Sequence, residues 1–192
     1  METIILASAS NRRQEILQQM GVPYRIISRP VDETIENGAD PRTASVDLAR
    51  KKVDAVVRDF RSAPAWILGA DTVVTLDGRI YGKPSDAEEA QGFLQELAGN
   101  THSVVTGIAL RNARTGMIAS HFDETQVTFS RLAAEEITWY VQTNEWQGVA
   151  GGYRIQGRAA CFIERIHGSY STVMGLPIRT LYSILRENHY QF

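Results

Sequence analysis

Several short stretches of this chain carry groups suited to chemistry on phosphates. The first is Ser8-Ala9-Ser10-Asn11-Arg12-Arg13, where an apolar run gives way to a polar one. Two hydroxyls and two guanidiniums offer many donors, and no carboxylate competes with them until Glu15. A helix starting here would turn unpartnered, partly positive amides toward the same place, which suits an anion such as a polyphosphate. The commoner alternative is a capped helix with solvated arginines.

Asp71 lies inside the run Trp66-Ile67-Leu68-Gly69-Ala70-Asp71-Thr72-Val73-Val74. A carboxylate in so apolar a stretch is costly unless it is paired, metal-bound or set at a strand end facing a cleft. It is therefore a candidate general base or metal ligand, the alternative being a carboxylate satisfied by nearby amides. Glu33, in Val31-Asp32-Glu33-Thr34, sits beside a second carboxylate; such a pair can hold Mg²⁺ but is more often solvated.

The chain has 17 arginines and only three lysines, Lys51, Lys52 and Lys83. An ammonium does not replace a guanidinium at a tight anion site, so each lysine has to be considered on its own. On a helix, the neighbours of Lys52 three and four residues away are Leu48, Ala49, Ala55 and Val56, none acidic. Such an ammonium snorkels outward or meets an anion from elsewhere, and snorkelling is the expectation for an isolated case. Lys83 follows Gly82 and precedes Pro84. With Gly78 this is a near miss for a phosphate-binding P-loop, lacking one spacer and the Ser/Thr. In the glycine-rich stretch Gly148–Gly157, the Gln156 amide offers both a donor and an acceptor, as the edge of a flat base requires; a tight connection between elements is the plainer alternative. The four histidines have no ligand spacing, and no G-x-S-x-G, H-E-x-x-H or G-x-G-x-x-G motif follows a strand.

The elements needed to position these groups alternate between strand and helix, which predicts an α/β fold. Strands are expected at Thr3–Ser8, Tyr24–Ser28, Trp66–Leu76, Arg79–Tyr81, Thr101–Arg111, Met117–Ser130 and Ala160–His167, with Asp77-Gly78 as a hairpin turn. Helices are expected at Asn11–Met20 with Ser10 as N-cap, from Asp40-Pro41 to about Asp59, and at Asp86–Ala98 behind a Ser85/Glu88 capping box. Two more are expected at Ala133–Thr143 and Leu176–Glu187.

A length of 192 residues and 43% hydrophobic content provide a core for one domain, 1–192, or two small lobes around a shared cleft. The formal charge of −2 gives no global basic field for nucleic acid or an anionic membrane. Cys161 is the only cysteine, which excludes an internal disulfide. No apolar run approaches the roughly 18 residues of a membrane span, and no signal-type start is present, so a reducing, cytoplasmic setting is expected.

Taken in order, LASASNRR, VDET at Glu33, LARKK ending at Lys52, LGADTVV, GKPSDAEEA, GYRIQG and GSYSTVMGLP resemble the Maf family over essentially the whole chain. That family comprises nucleotide pyrophosphatases related in fold to the inosine-triphosphate pyrophosphatases. The resemblance implies a mixed, twisted sheet flanked by helices, with two lobes around a central cleft. It also implies hydrolysis of a nucleoside triphosphate to monophosphate and pyrophosphate (a nucleotide diphosphatase) with a divalent metal, Mg²⁺ or Mn²⁺. By the same resemblance, Ser8, Ser10, Arg12, Arg13, Lys52 and Lys83 would surround the phosphates. Glu33 and Asp71 would serve metal and water, with Asp71 as proton acceptor. Arg12, Thr72 and Gln156 match the branch acting on dTTP and UTP, which also takes modified pyrimidine nucleotides. Asn11 stands where the family usually carries Pro, Val149 where Lys is frequent, and Arg154 where a small residue is usual. The resemblance further implies a homodimer with no membrane and no stable nucleic-acid partner. The alternatives are a sister enzyme acting on 7-methyl-GTP and a non-catalytic regulator of cell division binding nucleotide or nucleic acid through Arg12, Arg13 and Lys52.

Overall fold

The computed structural model describes residues 1–36, 38–58, 66–112 and 114–192. Along the chain run β1 (Ile4–Leu6), α1 (Asn11–Gln19), β2 (Tyr24–Ile26), α2 (Pro41–Val57), β3 (Trp66–Leu76), β4 (Arg79–Tyr81), α3 (Ala87–Leu97), β5 (Thr101–Asn112), β6 (Ile118–Phe129), α4 (Ala134–Gln142), β7 (Ile163–His167), α5 (Tyr170–Met174) and α6 (Ile178–Glu187). The strands form one mixed sheet of order β2-β1-β3-β5-β6-β7, with β4 also on β3. β1 is parallel to β2 and β3, and the remaining pairs are antiparallel. Helices flank the sheet, giving the α/β class expected.

Local chemistry explains most element boundaries. Asp77 and Gly78 both take positive φ, as a tight hairpin turn requires. The Asp40 carboxylate accepts from the Arg42 and Thr43 amides, and Pro41 occupies the first turn of α2. The expected end of α2 near Asp59 lies outside the described residues. Three expectations are corrected. The N-cap of α3 sits one residue later, at Asp86, whose carboxylate accepts from the Glu89 amide at 2.8 Å while the Glu89 carboxylate accepts from the Ser85 amide at 2.7 Å. Residues Arg158–Phe162 form a 3₁₀ turn, so β7 starts at Ile163 rather than Ala160. The helix expected from Leu176 starts at Ile178 behind Pro177, and α5 precedes it, closed by Gly175 in the left-handed region at φ 106°.

Two cores flank the first half of β3. On one face Leu68 and Ala70 pack with Ile16 and Leu17 of α1 and with Leu181 and Leu185 of α6. On the other face Ile67 packs with Ala49, Val53 and Val56 of α2. A third core joins Val74, Val104 and Val127 to Leu94 and Leu97 of α3 and Tyr140 of α4.

Two features of the sheet create a site. β1 pairs with β3 at Trp66–Leu68, and β4 pairs with it at Val74–Leu76. Between these pairings, Gly69–Val73 has, among the described residues, a strand partner only on its β5 side, at Gly107 and its neighbours. The sheet edge is therefore notched at Asp71 and Thr72. In addition, α2 lies unusually close to the sheet. A Cβ on Gly69 would collide with the Ala49 carbonyl, and one on Gly107, which faces Asp71 across the ladder, would collide with the Ser45–Val46 backbone. Among the described residues no helix is long and apolar enough to cross a membrane.

Candidate active site

The notch opens into a cavity of about 670 Å³ lined by Ser8–Arg13, the loop before α2, Lys52, Asp71, Thr72, Lys83 and the 148–154 segment. Nine residues singled out in the sequence line it: Ser8, Ser10, Arg12, Arg13, Glu33, Lys52, Asp71, Thr72 and Lys83. Gln156 does not. It is exposed, in a turn closed by the Gly157 amide donating to the Arg154 carbonyl at 3.0 Å. Arg29 lines the cavity without having been marked by any local pattern, and Tyr153 does so from within the GYRIQG stretch, where it was not singled out.

Successive side chains of a strand point to opposite faces, so Asp71 points toward α2 and Thr72 toward α1. Because the edge is open here, both reach one cavity. Lys52 is only 8% exposed, and its ammonium donates to the Asp71 carboxylate and pairs with Glu33 at 2.8 Å. The snorkelling expectation is thus overturned: the anions come from β3 and from the loop before α2, not from Lys52's own helix. Lys83 donates to the other oxygen of Glu33.

Partial burial opposes ionisation of Glu33, but hydrogen bonds and charge from Lys52 and Lys83 outweigh it and hold the carboxyl at about 2 instead of 4.5. Its folded-state pKa is depressed. Glu33 therefore stabilises the fold above about pH 4.5, and this contribution is lost as pH falls toward 2. We expect the melting-temperature difference between wild type and Glu33→Gln to shrink steadily across that window in thermal scans. A difference independent of pH would contradict the ion-pair assignment.

Arg13 is the second anchor. Its Nε donates to the Gly175 carbonyl at 2.8 Å, Nη1 to Ser8 Oγ at 2.9 Å and Nη2 to Thr72 Oγ1 at 3.4 Å. Thr106 Oγ1 donates to the Thr172 carbonyl at 2.7 Å, so the 3.0 Å contact between Thr72 and Thr106 has Thr72 as donor. This hydroxyl chain ties Arg13 to β5 and α5. Burial lowers the Arg13 pKa even though Asp71 and Glu33 act to raise it. Thr106 and the Gly175 carbonyl escaped sequence reading because a backbone acceptor and a buried Thr carry no local signal. Ser10 occupies the N-cap position of α1, but its hydroxyl does not cap the helix, and no acidic residue lies in the first turn. The first amides of α1 are thus left to face an anion.

Burial first, and the charges of Arg13 and Arg154 next, bring the Arg12 pKa down to about 10. The Tyr153 hydroxyl and His102 Nε2 share a hydrogen bond at 2.8 Å, and Val74, Val104, Val149 and Val173 supply an apolar lining. In all, Arg12, Arg13, Arg29, Lys52, Lys83 and Arg154 line the cavity against two carboxylates, in a chain of net charge −2. Such local concentration of positive charge draws in a polyanion.

Glu33 and Asp71 converge on one point, the Lys52 ammonium. Two hard oxygen donors suit Mg²⁺ or Mn²⁺ that completes its shell with substrate phosphates and water. Among the described residues no group of three or more His, Cys, Asp or Glu would hold an ion unaided. The donor set fits a metal that binds together with a phosphorylated ligand.

The family model described as "Maf-like protein" matches residues 3–188. A relative from Pelotomaculum thermopropionicum named dTTP/UTP pyrophosphatase is 43% identical over 190 residues, covering 99% of this chain and 98% of the relative. Relatives of the same name from Symbiobacterium thermophilum and Bacillus cytotoxicus are each 42% identical, covering 99% and 97% of this chain and 96% of either relative.

Proposed function

The chain belongs to the Maf-like protein family, and from that premise we propose that it hydrolyses dTTP and UTP to the nucleoside monophosphate and pyrophosphate. The observation that carries this reading is the convergence of Asp71, Glu33 and Lys52 in a cavity whose other charged lining residues are all cations. The names of the relatives support the pyrimidine preference.

In this reading the triphosphate lies along the amides of α1, with Ser8, Ser10, Arg12 and Arg13 donating to its oxygens and Lys52 and Lys83 neutralising them. Asp71 accepts the proton of the water that attacks the α-phosphorus. The bond from that phosphorus to the bridging oxygen breaks, and pyrophosphate leaves stabilised by the same cations. A divalent ion held by Glu33 and Asp71 would supply further charge neutralisation at the phosphates. The ammonium of Lys52 has hydrogen bonds available for phosphate oxygens once either carboxylate turns to such an ion. Thr72 orients Arg13 and lies on the path of the nucleotide. The finer expectations are Mg²⁺ or Mn²⁺ as the metal, acceptance of modified pyrimidine nucleotides, a homodimer and a cytoplasmic setting.

The test is a panel of nucleoside triphosphates with Mg²⁺ or Mn²⁺. Values of kcat/KM for UTP and dTTP at least about tenfold above those for ATP and GTP are expected. Equal rates across bases, or preference for 7-methyl-GTP, would contradict the assignment.

A further inference from the structure

We infer that Thr106 is a positioning residue: its single hydroxyl, set behind the cavity wall, holds two of the fixtures that aim the Arg13 guanidinium at the phosphates. This rests on the nucleotide reading above. Thr106 is fully buried and is not among the residues lining the cavity, whereas Arg13 and Thr72 are. It stands opposite Thr72 of β3 in one ladder and opposite Asp123 of β6 in the next. These three residues form a polar row across the sheet, starting at the notch.

A guanidinium carries five N–H groups in a rigid fork. Arg13 directs Nε to the Gly175 carbonyl at 2.8 Å, Nη1 to Ser8 at 2.9 Å and Nη2 to Thr72 at 3.4 Å. Among the described residues this leaves one N–H on each terminal nitrogen for a ligand, and the three anchored ones decide where those two point. Two of the three anchors lead to Thr106. Thr72 donates its only proton to Thr106 at 3.0 Å, so the Thr72 lone pairs are turned to Arg13. Thr106 donates in turn to the Thr172 carbonyl at 2.7 Å. That carbonyl also accepts the Gly175 amide at 3.0 Å, so the same hydroxyl ties down the end of α5 that presents the Gly175 carbonyl. The Thr172 hydroxyl donates to Asp123, which fixes α5 to the far member of the row. There is little slack, since a Cβ on Gly175 would lie 3.1 Å from Thr72 Oγ1 and 3.6 Å from Arg13 Nε. Without the Thr106 hydroxyl, Thr72 loses its acceptor and α5 loses a tie, and a buried polar chain broken in this way rearranges.

A double-mutant cycle tests the assignment. Thr106→Val keeps the shape without the hydroxyl, Thr106→Ser keeps the hydroxyl, and Arg13→Lys keeps the charge without the fork. Each is measured for kcat/KM with UTP and, by calorimetry, for affinity toward non-hydrolysable α,β-methylene-UTP. Thr106→Val should lower kcat/KM by about ten- to a hundredfold at a temperature where it is folded, as a small misplacement near the reacting groups does. Thr106→Ser should recover most of that loss. Should Thr106→Val fail to fold, Thr106→Ala against Thr106→Ser makes the same comparison. In the Arg13→Lys background, removing the hydroxyl should change either quantity by less than about twofold. An equal loss in both backgrounds would make Thr106 a part of the fold alone and overturn the inference, as would an unchanged kcat/KM in Thr106→Val. A wild type that binds the analogue but does not hydrolyse UTP would break the hydrolase reading, and the cycle in affinity, where the same pattern is expected, then decides on Thr106 by itself. A wild type that does not bind the analogue overturns both.

Discussion

Replacing Asp71 by Asn should lower kcat for UTP by about 10² to 10⁴-fold, the usual worth of a positioned proton acceptor. The change is nearly isosteric, so the apolar environment of β3 is preserved. Lys52 retains Glu33 at 2.8 Å, so its buried ammonium keeps a partner. Stability should therefore change little in thermal scans while turnover collapses. Asn also weakens the oxygen donor set on which a divalent ion would depend. Raising the Mg²⁺ concentration separates the two effects, because a deficit caused only by weaker metal binding would be recovered and the loss of a proton acceptor would not. Near-normal turnover in Asp71→Asn would remove this residue from the reaction.

The second large effect is expected far from any chemistry. Gly107 lies opposite Asp71 in the ladder, and a Cβ there would meet the backbone of Ser45 and Val46. Backbone cannot rotate away as a flexible side chain can, so Gly107→Ala must push α2 off the sheet. Overpacking of this kind costs about 1–3 kcal/mol, which for a chain of this size lowers Tm by several degrees. α2 also carries Lys52. Moving the helix withdraws the ammonium from Asp71 and Glu33, so kcat/KM should fall in the variant even at temperatures where it is fully folded. An unchanged Tm would mean that the close approach of α2 is not what positions Lys52.

Element types were legible because each rests on local chemistry: the Asp77-Gly78 turn, the Asp40-Pro41 helix start, and the apolar run of β3. Boundaries slipped where two local solutions compete. Asp86 and Glu89 cap α3 in place of Ser85 and Glu88, since both pairs have the right spacing. Pro177 and Gly175 divide a stretch that reads as one helix. The site itself was legible as a set of residues but not as a set of contacts. Lys52 has no acidic neighbour on its own helix, and its partners arrive from Glu33 and Asp71, 19 residues away in sequence in each case. That meeting depends on two glycines which allow α2 to approach the sheet, and no periodicity announces such a contact. Gln156 and Arg154 illustrate the converse. Both lie in one turn, and only the geometry of that turn decides which of them faces the cavity.

The central claim is that water is directed at the α-phosphorus of a pyrimidine nucleoside triphosphate, and ³¹P NMR of the purified chain incubated with UTP and Mg²⁺ tests it most directly. Growth of UMP and inorganic pyrophosphate in equal amounts, with no UDP, is the expected result. UDP with inorganic phosphate would contradict it, because the attack would then fall on the γ-phosphorus.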